Sequence, residues 1–244
     1  MCTVTYLPSD KNKFILTSSR DEKLNRKLAI PPLEYTHNGQ KIIYPKDGEA
    51  KGTWIATSEN NFTLCLLNGA FEFHQHNPPY KLSRGLMLLD FFNFNNVKEF
   101  VEQYDFTGIE PFTLIIINHK NDIELNEIRW DEKGELFLSK KNPSLPHIWF
   151  SATLYSKEKI LQREKWFFDW LDKFPTYEVN DILHFHHFGG NGDPVNIILM
   201  DQEKLKTISI TAVTNKNDNL EMIYEDLIQN QTKIFQSELS DKEN

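Results

Sequence analysis

The chain opens Met1-Cys2-Thr3-Val4-Thr5-Tyr6-Leu7-Pro8-Ser9-Asp10-Lys11-Asn12-Lys13-Phe14-Ile15-Leu16-Thr17-Ser18-Ser19-Arg20-Asp21-Glu22. Two strand-like runs, Thr3 to Tyr6 and Lys13 to Ser18, flank a polar turn rich in Pro, Ser, Asp and Asn, which is a β-hairpin signal. With the turn centred on Asp10, opposed residues have numbers summing to about 20, so Val4 meets Leu16 and Tyr6 meets Phe14. Four apolar side chains then share one face, and a slip by one residue would turn each strand's apolar set away from it. Extended outward, this register sets Cys2 opposite Ser18 and on the same face as Arg20, with Asp21 and Glu22 just past the strand end.

Cys2 follows the initiator methionine, whose removal leaves an α-amine and a thiol on one residue. An α-amine with a pKa of about 8 can take the proton of a thiol with a pKa of about 8.5, so nucleophile and base need no separate histidine. Alone, Cys2 reads as a tolerated second-position residue, and Ser19-Arg20-Asp21-Glu22-Lys23 reads as a solvated charge run. Together they read as a site. Arg20 can hold down the thiol pKa, and Asp21 can orient the amine or hold Arg20 in place.

The rest of the chain sets bounds on that reading. Its 244 residues suffice for one large domain, and no linker rich in Pro, Gly or Ser divides them, so residues 1–244 read as a single domain with a polar, frayed tail from about 236. A net charge of −8 argues against nucleic acid as a partner. No run approaches a membrane span and the N-terminus lacks the pattern of a signal peptide, which predicts a cytoplasmic protein. Two cysteines, Cys2 and Cys65, make neither a disulfide framework nor a structural zinc site. Cys65, inside an apolar run, reads as a small buried hydrophobe.

Further strands are expected at Gly52 to Thr57, Phe62 to Leu67, Phe112 to Asn118, Ile123 to Trp130, Leu136 to Ser139, Val195 to Met200, Lys206 to Val213 and Glu221 to Tyr224, mostly as antiparallel neighbours. Helical spacing marks Lys81 to Tyr104, Ser156 to Phe174 and Val179 to His187. In the second of these, Ile160, Leu161, Glu164, Phe167, Phe168 and Leu171 form the expected core stripe; Trp166, Phe168 and Trp170 read as packing ahead of an aromatic ligand box. The pattern predicts a layered α+β fold.

The quoted opening, with Gly52-Thr53-Trp54-Ile55-Ala56, Leu66-Leu67-Asn68-Gly69, Glu110-Pro111-Phe112-Thr113-Leu114, Pro146-His147-Ile148-Trp149, Leu154-Tyr155-Ser156 and Thr207-Ile208-Ser209-Ile210-Thr211, resembles the NRDE family, related to the transport and Golgi organisation protein. The family's Asn-Arg-Asp-Glu motif begins here with Ser19. The resemblance implies an N-terminal nucleophile hydrolase fold, a four-layer αββα sandwich of two antiparallel sheets, and distant kinship with cysteine amidases such as penicillin V acylase and bile salt hydrolase. It assigns Cys2, Arg20 and Asp21 to catalysis and Asn68 to the oxyanion hole. One departure falls at Ser151-Ala152-Thr153, where Ala152 stands in place of an Asn that donates to the oxyanion in the related amidases; losing one donor costs about 10² to 10³ in rate. Ser151 or Thr153 is the candidate substitute.

Other features admit plainer readings. Asn68-Gly69 is equally a hairpin turn. His184-Phe185-His186-His187 lacks a third ligand of clear spacing, so its histidines read as structural or, at His187, substrate-facing rather than metal-binding. Gly189 to Pro194 reads as a helix-to-strand turn, since no Gly-Lys-Ser/Thr follows it. Trp54, Phe71 and Phe73 are candidates for a substrate pocket and equally for a core. The leading reading is hydrolysis of a small-molecule amide or acyl substrate, a linear non-peptide C–N bond, through a Cys2 thioester, with no metal and no organic cofactor. A binding or trafficking protein for a hydrophobic ligand, lipid or haem, on the same fold stays open, as does acyl transfer to an amine.

Overall fold

The computed structural model describes residues 3–9, 12–58, 62–190, 198–200, 205–216 and 219–238, the side chains at 216, 219, 237 and 238 excepted. Cys2 lies outside the described residues. So do residues 191–194 of the glycine-rich turn and 195–197 of the strand expected at Val195 to Met200, whose remaining residues 198–200 are not in strand conformation.

Two antiparallel sheets carry the fold. The first contains β1 (Thr3–Pro8), β2 (Phe14–Lys23), β10 (His147–Phe150), β11 (Leu205–Lys216), β12 (Asn219–Asp226) and β13 (Gln231–Glu238), in the order β10-β1-β2-β11-β12-β13. The second runs in chain order through β3 (Ile30–His37), β4 (Gln40–Lys46), β5 (Ile55–Ser58), β6 (Phe62–Asn68), β7 (Phe112–Asn118), β8 (Glu124–Trp130) and β9 (Leu136–Lys141). Side chains alternate along each strand, which sorts the core. On β6 and β7, Cys65, Leu67, Ile115 and Ile117 meet Val4, Tyr6, Phe14 and Leu16 of the first sheet. Leu64, Leu66, Leu114 and Ile116 point the other way, into α1 (Arg84–Asp90) and α2 (Val97–Gln103). Behind the first sheet, Leu7 and Ile15 pack on α3 (Lys157–Lys173) and α4 (Val179–Phe188) through Phe167, Ile182 and Phe185. The four layers are therefore helix, sheet, sheet, helix, an α+β sandwich.

Helix starts are capped by side chains that accept from freed backbone N–H groups: Ser83 for α1, Asn96 for α2 and Ser156 for α3. On α3 the buried line is Arg163 and Phe167, with Trp166, Trp170 and Leu171 partly covered. Leu161 and Phe168, expected in the stripe, are 66% and 50% exposed because they fall on the flank of the helix.

The β1–β2 register differs from the expected one. Val4 pairs with Ser18, Tyr6 with Leu16 and Pro8 with Phe14. Pairing runs to the very end of β1, and Asn215 of β11 clamps the turn by accepting from Phe14 N at 2.9 Å and donating to Asn12 O at 2.9 Å. The displacement is two residues, an even number, so each side chain keeps the face its hydrophobicity demands. Also unanticipated are β3, β4, β10 and β13. Gln236 of β13 pairs with Glu221 of β12.

His186 on α4 is fully buried; its Nε2 lies 2.9 Å from Thr5 Oγ1 and its Nδ1 2.7 Å from Ser19 Oγ. Burial pushes its pKa down to about 3, and burial takes His119 to about 4. Both are neutral in the folded chain, whereas unfolded histidine protonates near pH 6.5. The unfolded state therefore binds more protons once the pH drops below about 6.5, and stability declines from there toward pH 4. Denaturant midpoints measured between pH 7.5 and 5 are expected to fall, and His186→Gln to flatten part of the decline.

Candidate active site

A cavity of about 430 Å³ lies at the end of β2 and β6, walled by the 47–54 segment, the start of α1 and Glu110. Arg20, Trp54 and Asn68 line it. Arg20 is 1% exposed, one residue beyond the Thr3–Ser19 pair of the hairpin. Its guanidinium lies over the Trp54 indole, 4.1 Å from the ring centroid. Burial lowers the Arg20 pKa from its ordinary value, opposed by Glu22 and Asp47, and the group stays charged.

Asp47 holds Arg20. Its Oδ2 accepts from Arg20 Nη2 and, at 2.9 Å, from Arg26 Nε, while Oδ1 accepts from Arg26 Nη2 at 3.0 Å and from the backbone N–H groups of Glu49 and Ala50 at 2.9 and 2.6 Å. Despite its burial, these bonds and the two arginines draw the Asp47 pKa below its ordinary value. No signal in the sequence marks Asp47, because it reaches Arg20 only when the β4–β5 connection folds over the end of β2.

Asp21 occupies the opposite face of β2 from Arg20. Its carboxylate accepts from Tyr155 Oη at 3.0 Å and Thr207 Oγ1 at 2.5 Å. The holding of Arg20 considered for Asp21 thus falls to Asp47, since consecutive strand residues face opposite ways. A bulge between Thr207 and Ser209 of β11 brings the Thr207 hydroxyl to Asp21.

Asn68 ends β6 beside the 151–153 turn. Ser151 Oγ donates to Asn68 O at 2.8 Å and lies 3.1 Å from Thr153 Oγ1. The Asn68-Gly69 pair is not a hairpin turn: β6 leads through Gly69, at φ 80°, into the long excursion that carries α1 and α2 before β7. A Cβ at residue 69 would sit 3.0 Å from Ala152 Cβ and 3.1 Å from Thr153 Cγ2. Gly69 therefore lies against Ala152 and Thr153, and Ser151 is engaged with the Asn68 carbonyl. Gly69→Ala combines left-handed strain with that crowding and is expected to cost about 2 kcal/mol in denaturant unfolding.

Of the remaining candidates, His187 does not line the cavity. Its Nε2 lies 2.7 Å from Glu225 Oε2 of β12, a hydrogen bond that ties α4 to the first sheet. Residues 184 and 186 lie in α4, the helix expected at Val179 to His187, and a helix turns residues two apart to different sides. Among the described residues no three His, Cys, Asp or Glu side chains converge on a metal position. Phe71 and Phe73 are exposed, Phe71 packing edge-on against Phe137 under Arg129. Cys65 is fully buried, and burial pushes its thiol up to about 12, so it is inert packing.

The profile of the Transport and Golgi organisation 2 family matches residues 1–235. The chain belongs to that family. NRDE is another name for it. No curated protein sequence matches the chain. Among solved structures, a variant of conjugated bile acid hydrolase from Clostridium perfringens superposes with a TM-score of 0.59 at 8% identity, over 99% of this chain and 95% of that one. A second variant of that hydrolase gives 0.52 at 8%, covering 100% and 99%. The Caenorhabditis elegans ortholog of N-acylethanolamine-hydrolyzing acid amidase gives 0.52 at 12%, covering 86% and 92%. At such identities the likeness is one of fold: a sandwich of two antiparallel sheets between helices. Among the described residues no helix is long and apolar enough to cross a membrane.

Proposed function

We propose that the chain is an N-terminal cysteine hydrolase that cleaves a linear, non-peptide amide through a Cys2 thioester. The observation that carries the reading is Arg20, a buried cation lining a cavity beside Asn68, one step past the Thr3–Ser19 pair. Removal of Met1 frees the α-amine, which takes the Cys2 thiol proton; the thiolate adds to the substrate carbonyl. Arg20 favours the thiolate electrostatically, and Asp21 orients the protonated amine. The Asn68 backbone N–H stabilises the oxyanion. Collapse of the tetrahedral intermediate breaks the C–N bond, the departing amine takes the proton back from the α-ammonium, and water then hydrolyses the thioester. Ala152 offers no donor, which predicts a slow enzyme compared with one holding two donors.

Incubating the purified chain with a panel of acylated amines and weighing it intact tests this. The expected result is loss of Met1 and a transient acyl adduct on Cys2. An active form that retains Met1 would sink the mechanism, because its base is tied up in a peptide bond.

A further inference from the structure

The cavity wall carries three guanidiniums, Arg20, Arg26 and Arg84, and three carboxylates, Glu22, Asp47 and Glu110, so its fixed charges balance. Arg20 and Arg26 share Asp47, Arg84 Nη2 sits 2.9 Å from Glu110 Oε2, and Glu22 lies 3.6 Å from Arg20 and 3.8 Å from Arg26. A charged ligand adds an unpaired charge to this set, whereas an uncharged one leaves the pairing intact. Trp54, Leu66 and Leu82 add apolar surface beside the charged groups.

Hydrogen bonding in the wall is incomplete. Arg20 Nη1, Trp54 Nε1 and Asn68 Oδ1 are buried without a partner in the protein, and all three residues line the cavity. Among the described residues, the other buried atoms in that condition are hydroxyl oxygens and imidazole nitrogens of residues that do not line it. Folded proteins leave few buried polar groups unpaired, and a guanidinium or indole N–H can only donate. By contrast, Trp130 Nε1 donates to Ile109 O at 3.1 Å and Trp149 Nε1 to Glu127 Oε2 at 2.6 Å. The Arg20 guanidinium lies over the Trp54 indole, 4.1 Å from its centroid, so the two unpaired donors belong to one contact. Two donors and one acceptor are the complement of an amide, whose carbonyl accepts and whose N–H donates.

We propose that Trp54 Nε1, together with Arg20 Nη1, holds the carbonyl of an uncharged amide whose N–H donates to Asn68 Oδ1. That this amide is the one cleaved rests on the hydrolase reading, but its binding stands apart from it. Isotope-labelled Cys2→Ala protein, which has no thiol at residue 2 to acylate, is titrated with N-butylacetamide, its ester isostere butyl acetate, and hexanoate. The indole N–H signals are followed by NMR, that of Trp54 being assigned by its loss in Trp54→Phe. The amide is expected to move the Trp54 signal downfield while those of Trp130 and Trp149 stay, and to bind roughly threefold or more tighter than the ester or hexanoate. Benzothienylalanine at position 54 keeps the ring shape with sulfur in place of N–H. It is expected to weaken amide binding about fivefold and leave the melting temperature unchanged, because the lost donor has no partner in the protein. An unmoved Trp54 signal, ester or hexanoate binding as tight as the amide's, binding by none of the three, undiminished amide binding by the benzothienylalanine protein, or a lowered melting temperature for it overturns the proposal. If the expected results hold and native Cys2 forms no adduct with any acylated amine, this inference stands and the hydrolase reading fails. A Cys2 adduct formed at the parent's rate when benzothienylalanine replaces Trp54 does the reverse.

Discussion

Cys2→Ala is expected to abolish the acyl adduct and to lower amide hydrolysis by about 10⁴-fold or more while leaving the melting temperature within a degree or two of the parent's. The size of the loss follows from what the residue supplies. Removing the nucleophile takes away the covalent route altogether, and what survives is the modest acceleration from binding and oxyanion contacts. The small stability effect follows from the core: β1 is held by its ladders to β2 and β10 and by Val4 and Tyr6 between the sheets. Cys2→Ser serves as a companion, keeping a weaker nucleophile in place. If Cys2→Ala keeps full activity, the site lies elsewhere and the cavity at Arg20 is a binding feature. Cys65 cannot take over, since it is fully enclosed and its thiol stays protonated at neutral pH.

The second large effect is expected at Asp47. Asp47→Ala leaves Arg20 and Arg26 without their shared carboxylate and frees the backbone N–H groups of Glu49 and Ala50. Breaking a buried pair from one side typically costs about 3 to 5 kcal/mol, because the remaining charge is stranded away from water. For a chain of this size that corresponds to a melting temperature lower by roughly 10 °C. Asp47→Asn, which retains acceptor capacity at Oδ1 but not the charge, is expected to lose about half as much stability. Hydrolysis falls in both variants if Arg20 acts on the thiolate, and the pH at which Cys2 becomes reactive to iodoacetamide moves upward. A variant with normal melting and normal thiol reactivity would remove Asp47 from the site.

The contrast between Asp21 and Asp47 explains why part of this site could be read and part could not. Arg20 and Asp21 are adjacent, sit in a recognisable motif, and alternate across a strand, so their opposite faces follow from the period of two. Asp47 is 27 positions from Arg20 along the chain. Nothing in the run Tyr44-Pro45-Lys46-Asp47-Gly48 distinguishes a carboxylate that will grip two arginines from one in a solvated turn. The partner of His187 was illegible for a related reason: the period of α4 places it toward Glu225, and only the packing of that helix on the first sheet decides what it bonds.

The fold divides in the same way. The hydrophobic runs of β6, β7 and β8 stand out because both faces of β6 and β7 are buried, and α3 and α4 stand out through their spacing. Strand β3 contains Pro31 and Pro32 and is half exposed, which a sheet tolerates only at an edge, so its local signal is weak. Its partner β4 follows a tight turn at Asn38 and Gly39, both at positive φ, an Asn-Gly hairpin signal that is realised here and not at Asn68-Gly69. What the sequence by itself determined is the hairpin with its buried face and the α+β class. These are local: hydrophobicity period and residue chemistry act over a few positions. Tertiary structure alone decided the two-residue register displacement, the grip of Asp47 on Arg20 and the ionic lining of the cavity. Each depends on groups far apart in the chain whose pairing is selected by which surfaces the two sheets and their helices bury together.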